Sequence, residues 1–386
     1  MDFEKTSSQN ELASLVREIL TGRGAAWDGA CFDAALWREL GKAGVLAAAL
    51  PESLGGSGLG LLDQCSVLVE VGRAIAPAPY LPSIVLGAGA IAAFGSPDQR
   101  QRWAEPASRG ELVLTAALTE ENVATADAAA AGWVISGVKT VVPAAMKADA
   151  MLVPAGAHVF IVERSDPGVR VEGQELTAGV TAGRVTLDGV RLGADRELRA
   201  LDGPDVLDWL MARGTVGLCA LQLGVTERAL ELTAEYARSR VQFGRPIGTF
   251  QAVAQRLADA WIDVEAIRLT MWQAAWRLAA NLPGSGGQYR DTSVATAKFW
   301  AADAGHRVAH TAVHIHGGVG IDVSYPLHRY FAAAKENEFA LGGATAQLRR
   351  IGAELAAATN RVVTTRLKGQ REGAGMEGTG VGRRGA

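Results

Sequence analysis

The chain has 386 residues, 48% of them apolar and 20% charged, ordinary globular values that exclude wholesale disorder, collagen and an uninterrupted coiled coil. Its 38 basic and 41 acidic residues leave a net charge of -3, so no overall field draws it to a polyanion and nucleic acid is not an expected partner. Cys31, Cys65 and Cys219 stand too far apart in sequence to suggest a disulfide framework or a zinc ribbon, which suits a reducing compartment.

Up to about residue 110 the apolar side chains recur at helical spacing: Leu12, Leu15, Val16 and Ile19, then Leu36, Leu40 and Val45, then Leu61, Val67, Leu68 and Val71. Pro51-Glu-Ser-Leu-Gly-Gly-Ser-Gly58 interrupts them as a glycine-rich connection. The opening MDFEKTSSQN is acidic and polar where a secretory signal needs a basic end and an apolar run, so the cytoplasm is the expected location. Ile75 to Pro97 is uncharged and long enough to span a bilayer, but Pro77, Pro79 and Pro82 would break the span. What remains, roughly Ser83 to Phe94, has the length of a buried core helix, and no membrane span is expected.

Residues 111–200 change to short runs of two-residue alternation, including Trp133-Val-Ile-Ser, Met151-Leu-Val, His158-Val-Phe-Ile-Val and Arg184-Val-Thr-Leu. Turns at Gly132, Gly137, Pro167-Gly168 and Asp188-Gly189 separate them, which predicts a small antiparallel β domain. Residues 201–367 return to helical patterns over 205–239, 250–281, 291–316 and 326–361, enough for a four-helix bundle. Pro283-Gly-Ser-Gly-Gly287 reads as a flexible connection, and residues 368–386, with seven glycines, as a disordered tail.

Motifs narrow this architecture. Tyr236-Ala-Arg-Ser-Arg240-Val-Gln242-Phe243-Gly-Arg-Pro-Ile-Gly-Thr-Phe-Gln251 and His316-Gly317-Gly318-Val-Gly320 resemble the C-terminal domain of the acyl-CoA dehydrogenases, and Pro51-Glu52 with Gly55-Gly56 resembles their N-terminal domain. The residues themselves suit a dinucleotide. Arg240 offers a fork for a pyrophosphate, Gln242 and Gln251 amides, Phe243 a flat apolar face, and Gly317-Gly318 a close backbone approach. Each alone reads equally well as a surface arginine, a packing phenylalanine or a helix stop; their combination does not. The resemblance implies an N-terminal helical domain, a β domain and a four-helix bundle. It also implies FAD as cofactor, an acyl-CoA substrate, and an electron-transfer flavoprotein or similar acceptor. His314 matches a family glutamine that contacts the cofactor.

In that family one glutamate removes the substrate's α-proton, from a Glu-Gly-Thr run just ahead of a Gln-Ile/Leu-x-Arg segment. Here the segment is Leu341-Gly-Gly343-Ala-Thr345-Ala-Gln347-Leu-Arg-Arg, with Gly343 read at the carboxylate's position, so no catalytic residue is assigned with certainty. Glycine carries nothing that titrates. The family's Thr-Glu-Pro motif becomes Thr119-Glu120-Glu121, and its Trp-Ile-Thr run becomes Val141-Val142-Pro143, which removes an aromatic wall and a hydroxyl. Some relatives carry the base on the first bundle helix. Asp208, with Asp205 nearby, is the weak candidate there, although an acid in a first helical turn is ordinarily a dipole partner. Glu336 and Glu338 read as solvated.

His306, His310 and His314 share a helix face but span about 12 Å, too far to hold one metal ion, and no metal is expected. Trp261, Trp272 and Trp276 read as bundle packing or interface residues. In the family the FAD lies across a subunit interface, with the flavin wall from one chain and the arginine, glutamine and glycine loop from its neighbour. This sequence keeps only the second set. The expectation is a specialised subunit of a heteromeric acyl-CoA dehydrogenase, of the kind that acts on steroid-derived CoA thioesters, completing a catalytic partner subunit's FAD site. The alternatives are a homomeric dehydrogenase using Asp208 and a flavin monooxygenase of the same fold.

Overall fold

The computed structural model describes residues 4–22, 32–177, 179, 181–200, 205–280 and 292–357; the 283–287 connection and the 368–386 tail fall outside this set. Six helical pieces open the chain: α1 (Ser7–Gly22), α2 (Ala34–Lys42), α3 (Leu61–Ala74), α4 (Gly89–Phe94), α5 (Pro97–Gln99) and α6 (Glu105–Ser108). Asp33 starts α2 by accepting from the backbone N–H groups of Ala35 and Leu36 at 2.8 and 2.9 Å. The uncharged segment does form a buried helix, wound as a π-helix over Tyr80–Ala88 and continuing as α4. Among the described residues no helix is long and apolar enough to cross a membrane.

Eight strands follow: β1 (Leu114–Ala116), β2 (Glu120–Ala129), β3 (Gly132–Val142), β4 (Ala150–Ala155), β5 (His158–Glu163), β6 (Val169–Glu175), β7 (Thr181–Gly193) and β8 (Glu197–Leu198). They make two four-stranded sheets, ordered β1-β4-β5-β8 and β2-β3-β7-β6. Ile135, Met151, Val153, Phe160, Val185 and Leu187 share a buried core. The pairing is antiparallel except for β1 on β4, which run parallel with Leu114 opposite Ala150. The N-terminal helices hold these sheets by direct hydrogen bonds: the Gln99 amide donates to the carbonyls of Asp195 and Glu197, and the Leu114 N–H donates to Ser83 Oγ at 3.0 Å.

The last domain consists of α7 (Val206–Ser239), a hairpin of β9 (Val241–Gln242) and β10 (Arg245–Pro246), α8 (Gln251–Ala279), α9 (Thr292–His316), α10 (Leu327–Phe339) and α11 (344–357). The single helix expected over 326–361 is two, because Leu341 (φ 53) and Gly342 (φ 93) take left-handed backbone that an α-helix cannot accommodate. Trp272 packs inside at 7% exposure, whereas Trp261 (59%) and Trp276 (37%) face outward, so the tryptophans are not one core cluster.

Two glycines set how the N-terminal helices meet the bundle. A Cβ on Gly72 of α3 would lie 2.2 Å from the Leu221 carbonyl oxygen of α7, and one on Gly224 of α7 would lie 2.0 Å from that of Val69 on α3. The two backbones therefore touch where only glycine fits. Arg73 closes the same crossing by pairing with Glu227 and Glu231, and Arg17 of α1 reaches the buried Glu70 at 2.6 Å. Gly224→Ala should cost about 3 kcal/mol, the upper end of overpacking, since backbone must move to admit the methyl. Gly352→Ala, exposed on α11 with open space around it, should instead stabilise by about 0.5–1 kcal/mol. Urea unfolding of the two variants measures the contrast.

Candidate functional site

The bundle runs up and down, so the end of α7, the start of α8 and the end of α9 fall at one pole. The sequence-selected residues gather there. Arg240 ends α7; its N–H donates to the Tyr236 carbonyl and its own carbonyl accepts from Ile247, both at 2.8 Å. The guanidinium is exposed, and among the described residues it makes no ion pair. Phe243 and Gly244 form the hairpin's two-residue turn with φ of 52 and 79, the left-handed pair that a type I′ turn needs. A phenylalanine in that position is strained, and its ring is 92% exposed. It lies perpendicular to the Phe250 ring, 6.2 Å away, over which the Arg245 guanidinium sits at 4.2 Å.

Gln242, Gln251 and His314 are exposed as well, on the hairpin, at the first residue of α8 and near the end of α9. Gly317 (φ 62) stops α9, and a Cβ on Gly317 or Gly318 would meet nothing within 4 Å. Backbone at both positions is thus open to a ligand, while Gly320 packs against Val313 and His316. The sequence did not single out what fixes this loop. His316 is 4% exposed, its ring stacks on Tyr236 at 4.3 Å, and its Nδ1 and Nε2 lie 2.8 Å from the Ala312 carbonyl and 3.3 Å from the Tyr325 hydroxyl. Burial holds its pKa below the usual imidazole range, so it is neutral at pH 7. A carbonyl only accepts, so Nδ1 carries the proton and Nε2 accepts from Tyr325.

The second feature is the turn between α10 and α11. A Cβ on Gly343 would sit 3.4 Å from the Glu338 carbonyl oxygen and 3.9 Å from Phe339 Cδ1, directed back at the end of α10. The side chain that crosses to α7 is Leu341, whose Cδ1 lies 3.2 Å from the place of a Cβ on Gly214, with Leu86 and Leu118 beside it at 3.6 and 3.7 Å. Leu341 thus packs against α7, and neither it nor Gly343 carries a group that titrates. Asp208 is not brought there. It lies six residues before Gly214, about 9 Å along α7 and turned by roughly 120°. It stands in the first turn, below the Asp205 cap that accepts from Leu207 and Asp208 N–H.

The expected flavin wall keeps an unusual backbone: Val141 (φ 51) and Ala144 (φ 54) are left-handed, and Val141 N–H donates to the Gln174 side chain at 2.9 Å. Lys139, fully buried on the same strand, pairs with Glu120. Neither acid near the turn is freely solvated, contrary to the sequence expectation. Glu338 is 14% exposed, contacting His306 at 3.1 Å and Lys335 at 2.6 Å, and burial pushes the Glu336 carboxyl up. His306 also stacks on His310 at 4.2 Å, and His310 lies edge-on to Phe331.

α10 is fixed from beneath. Gln222 of α7 donates to the Ala334 carbonyl and accepts from Asn337, and the fully buried Lys298 of α9 donates to the carbonyls of Asn337 and Glu338 at 2.5 and 3.2 Å. A cation at a helix carboxyl end is favourable, but burial still pulls the Lys298 pKa down to about 8. Unfolded lysine stays protonated up to its ordinary value of 10.5, so between pH 8 and 10.5 the unfolded chain binds the extra proton and the folded state gains stability as pH rises. Against Lys298→Met, the natural chain should gain about 3 kcal/mol across that window, read from denaturant unfolding at fixed pH steps.

With this geometry in place, comparison with known proteins settles the class. Sequence profiles of the acyl-CoA dehydrogenase N-terminal and C-terminal domains match residues 4–111 and 202–356. Acyl-CoA dehydrogenase FadE27 of Mycobacterium tuberculosis is 49% identical over 379 residues, covering 92% of this chain and 99% of that protein. The crystal structure of the ChsE4-ChsE5 complex, also from Mycobacterium tuberculosis, superposes with a TM-score of 0.86 at 49% identity over 92% of this chain and 99% of the matched one. A variant of the Tcur3481-Tcur3483 steroid ACAD gives 0.83 at 40% identity, covering 91% and 98%.

The chain belongs to the acyl-CoA dehydrogenase family. Members of that family are oxidoreductases acting on CH–CH bonds, and the cofactor expected is FAD. The residues present fit a dinucleotide at the bundle pole, where an exposed arginine, an exposed ring and two glycines with open space beside them offer donors and a flat face.

Proposed function

We propose that this chain is the non-catalytic half of a heteromeric acyl-CoA dehydrogenase, completing a partner chain's FAD site while lacking a base of its own. The observation that carries the reading is the contrast between its two ends. The pole formed by Arg240, Gln242, Phe243, Gln251, His314, Gly317 and Gly318 is exposed and equipped for a nucleotide. The turn that faces α7 presents Leu341 against Gly214, with no acid. FAD accepts a hydride in this chemistry. This chain's contribution is to bind: Arg240 meets the pyrophosphate with two parallel hydrogen bonds, the glycine backbone approaches it, and Phe243 covers an apolar face. The strained left-handed Phe243, exposed in the isolated chain, supports a role that a partner or ligand completes.

The relatives point the same way. The ChsE4-ChsE5 neighbour is a complex of two named chains, and the Tcur3481-Tcur3483 neighbour is described as a steroid ACAD. A large, steroid-derived acyl-CoA is accordingly the substrate class proposed for the assembly. An electron-transfer flavoprotein or a similar carrier is the proposed electron acceptor. The homomeric alternative with Asp208 as base loses support, since that acid is turned away from the α7 face that Leu341 meets.

The test is flavin per chain and turnover with an artificial electron acceptor, for this chain alone and co-expressed with its genomic neighbours. The expected outcome is one FAD per heterodimer and none on the isolated chain, which gives no dehydrogenation of acyl- or steroid-CoA thioesters. Turnover by a verified homomer overturns the proposal. Arg240→Ala in the complex should weaken FAD binding by about 1.5–3 kcal/mol, roughly ten- to a hundredfold, with the assembly intact by size exclusion. Arg240→Lys should recover only part, because an ammonium cannot reproduce the fork.

Placing an acid in the turn, as Gly343→Glu or Leu341→Glu, should leave the isolated chain inactive. A general base contributes about 10² to 10⁴ in rate only where its geometry is right, and the altered wall at Val141 and Pro143 remains. Steady-state assays of both variants check this.

A further inference from the structure

Arg240 and the Gly317-Gly318 backbone belong to different helices, and a ligand that uses both needs them at a constant separation. The hairpin does not connect them; a cluster of three rings does. Tyr236 lies one turn before Arg240 on α7, His316 is the last residue of α9 before Gly317, and Tyr325 belongs to the segment leading into α10. The Tyr236 and His316 rings are nearly parallel, 23° apart at 4.3 Å, and Tyr325 lies 5.3 Å from His316 and 6.4 Å from Tyr236. His316 also bonds its own helix at Ala312 and the Tyr325 hydroxyl, and a Cβ on Gly320 would lie 3.1 Å from the His316 Cβ. A ring that stacks on α7, bonds its own helix and bonds the segment leading into α10 leaves the glycine loop little freedom to drift from Arg240.

We infer that His316 is a positioning residue for the flavin dinucleotide, holding the Gly317-Gly318 backbone in register with Arg240 through Tyr236 and Tyr325. The inference rests on the proposal that this pole binds FAD for a partner chain. It adds that binding there depends on a side chain that does not itself touch the nucleotide. A packing role alone would make His316 matter for stability and leave affinity untouched. A positioning role ties affinity to the hydrogen bonds of the ring.

The experiment uses the flavin-stripped complex formed by co-expression, titrated with FAD and followed by quenching of flavin fluorescence, with thermal melting and size exclusion on the same samples. His316→Phe keeps a ring against Tyr236 and removes both hydrogen bonds. Tyr325→Phe removes only the hydroxyl donor. Each should weaken FAD about three- to tenfold in an intact complex, the equivalent of one or two lost hydrogen bonds. The double variant should be no weaker than His316→Phe alone, since the Tyr325 hydroxyl acts through Nε2. His316→Asn, which can still donate to the Ala312 carbonyl, should recover part of the loss.

Should His316→Phe fail to assemble, Tyr325→Phe decides by itself. Wild-type FAD affinity in Tyr325→Phe and His316→Phe, with Arg240→Ala still weakened, overturns this inference alone. Unchanged affinity in Arg240→Ala as well overturns the reading of the pole from which it starts. Losses that simply add in the double variant also overturn it.

Discussion

The backbone contact between α3 and α7 is the constraint on which the rest of the molecule depends. Gly72 and Gly224 allow two helices from different domains to touch carbonyl to Cα, and Arg73 with Glu227 and Glu231 holds that crossing at its edge. α7 is 34 residues long and lies against α3, α8, α9 and α10, so fixing its middle fixes both of its ends. The position facing Leu341 lies toward one end and Arg240 at the other, about 39 Å apart along the axis by helical rise. A single 34-residue helix thus separates the turn at Leu341 from the pole at Arg240. Neither can approach the other without disrupting the close backbone crossing of α3 and α7.

Around that helix, polar side chains rather than apolar bulk set the fine placement. Lys298 and Gln222 hold α10 by its last carbonyls, and the turn after it follows. His316 holds the loop after α9. Both devices bury a titratable group whose proton state is chosen by burial: the imidazole stays neutral, and the ammonium is held near the edge of neutrality. Leaving such a group without its partner in the interior costs the full desolvation of the orphan, which makes the arrangement specific as well as stable.

Much of this was legible in the sequence. The switch from helical to two-residue periodicity located the β domain, and the uncharged segment with three prolines read correctly as a buried helix. The residues proposed for the nucleotide lie in short contiguous motifs, so local inspection singles them out, and the fold brings them to one pole. What was hidden involves distance or backbone sign. Ala340-Leu-Gly-Gly343 looks like an ordinary lapse in a helical pattern, and nothing in a leucine announces φ of 53; hence the missed helix break. Lys298 sits in a pattern that reads as amphipathic, with no signal that its ammonium is wholly buried. Tyr236 is eighty residues from His316, with Tyr325 nine further on, and it meets them only in three dimensions. Glu338 read as solvent-facing because a charge near a helix end usually is.

The rim at the end of β3 has a consequence of a different kind. Its path is held by other residues: Gln174 receives the Val141 N–H, the buried Thr115 donates to the Pro143 carbonyl at 2.6 Å, and the bulge between Lys139 and Val142 sets the bend. Val141 contributes only an outward side chain, 41% exposed. Shape and chemistry are therefore encoded by different residues on this rim, and mutation can alter the second while the first stays intact. Divergence at such a place is cheap in fold and expensive only in whatever the rim once touched. A duplicated gene can lose a surface function there, one side chain at a time, without ever passing through an unfolded ancestor.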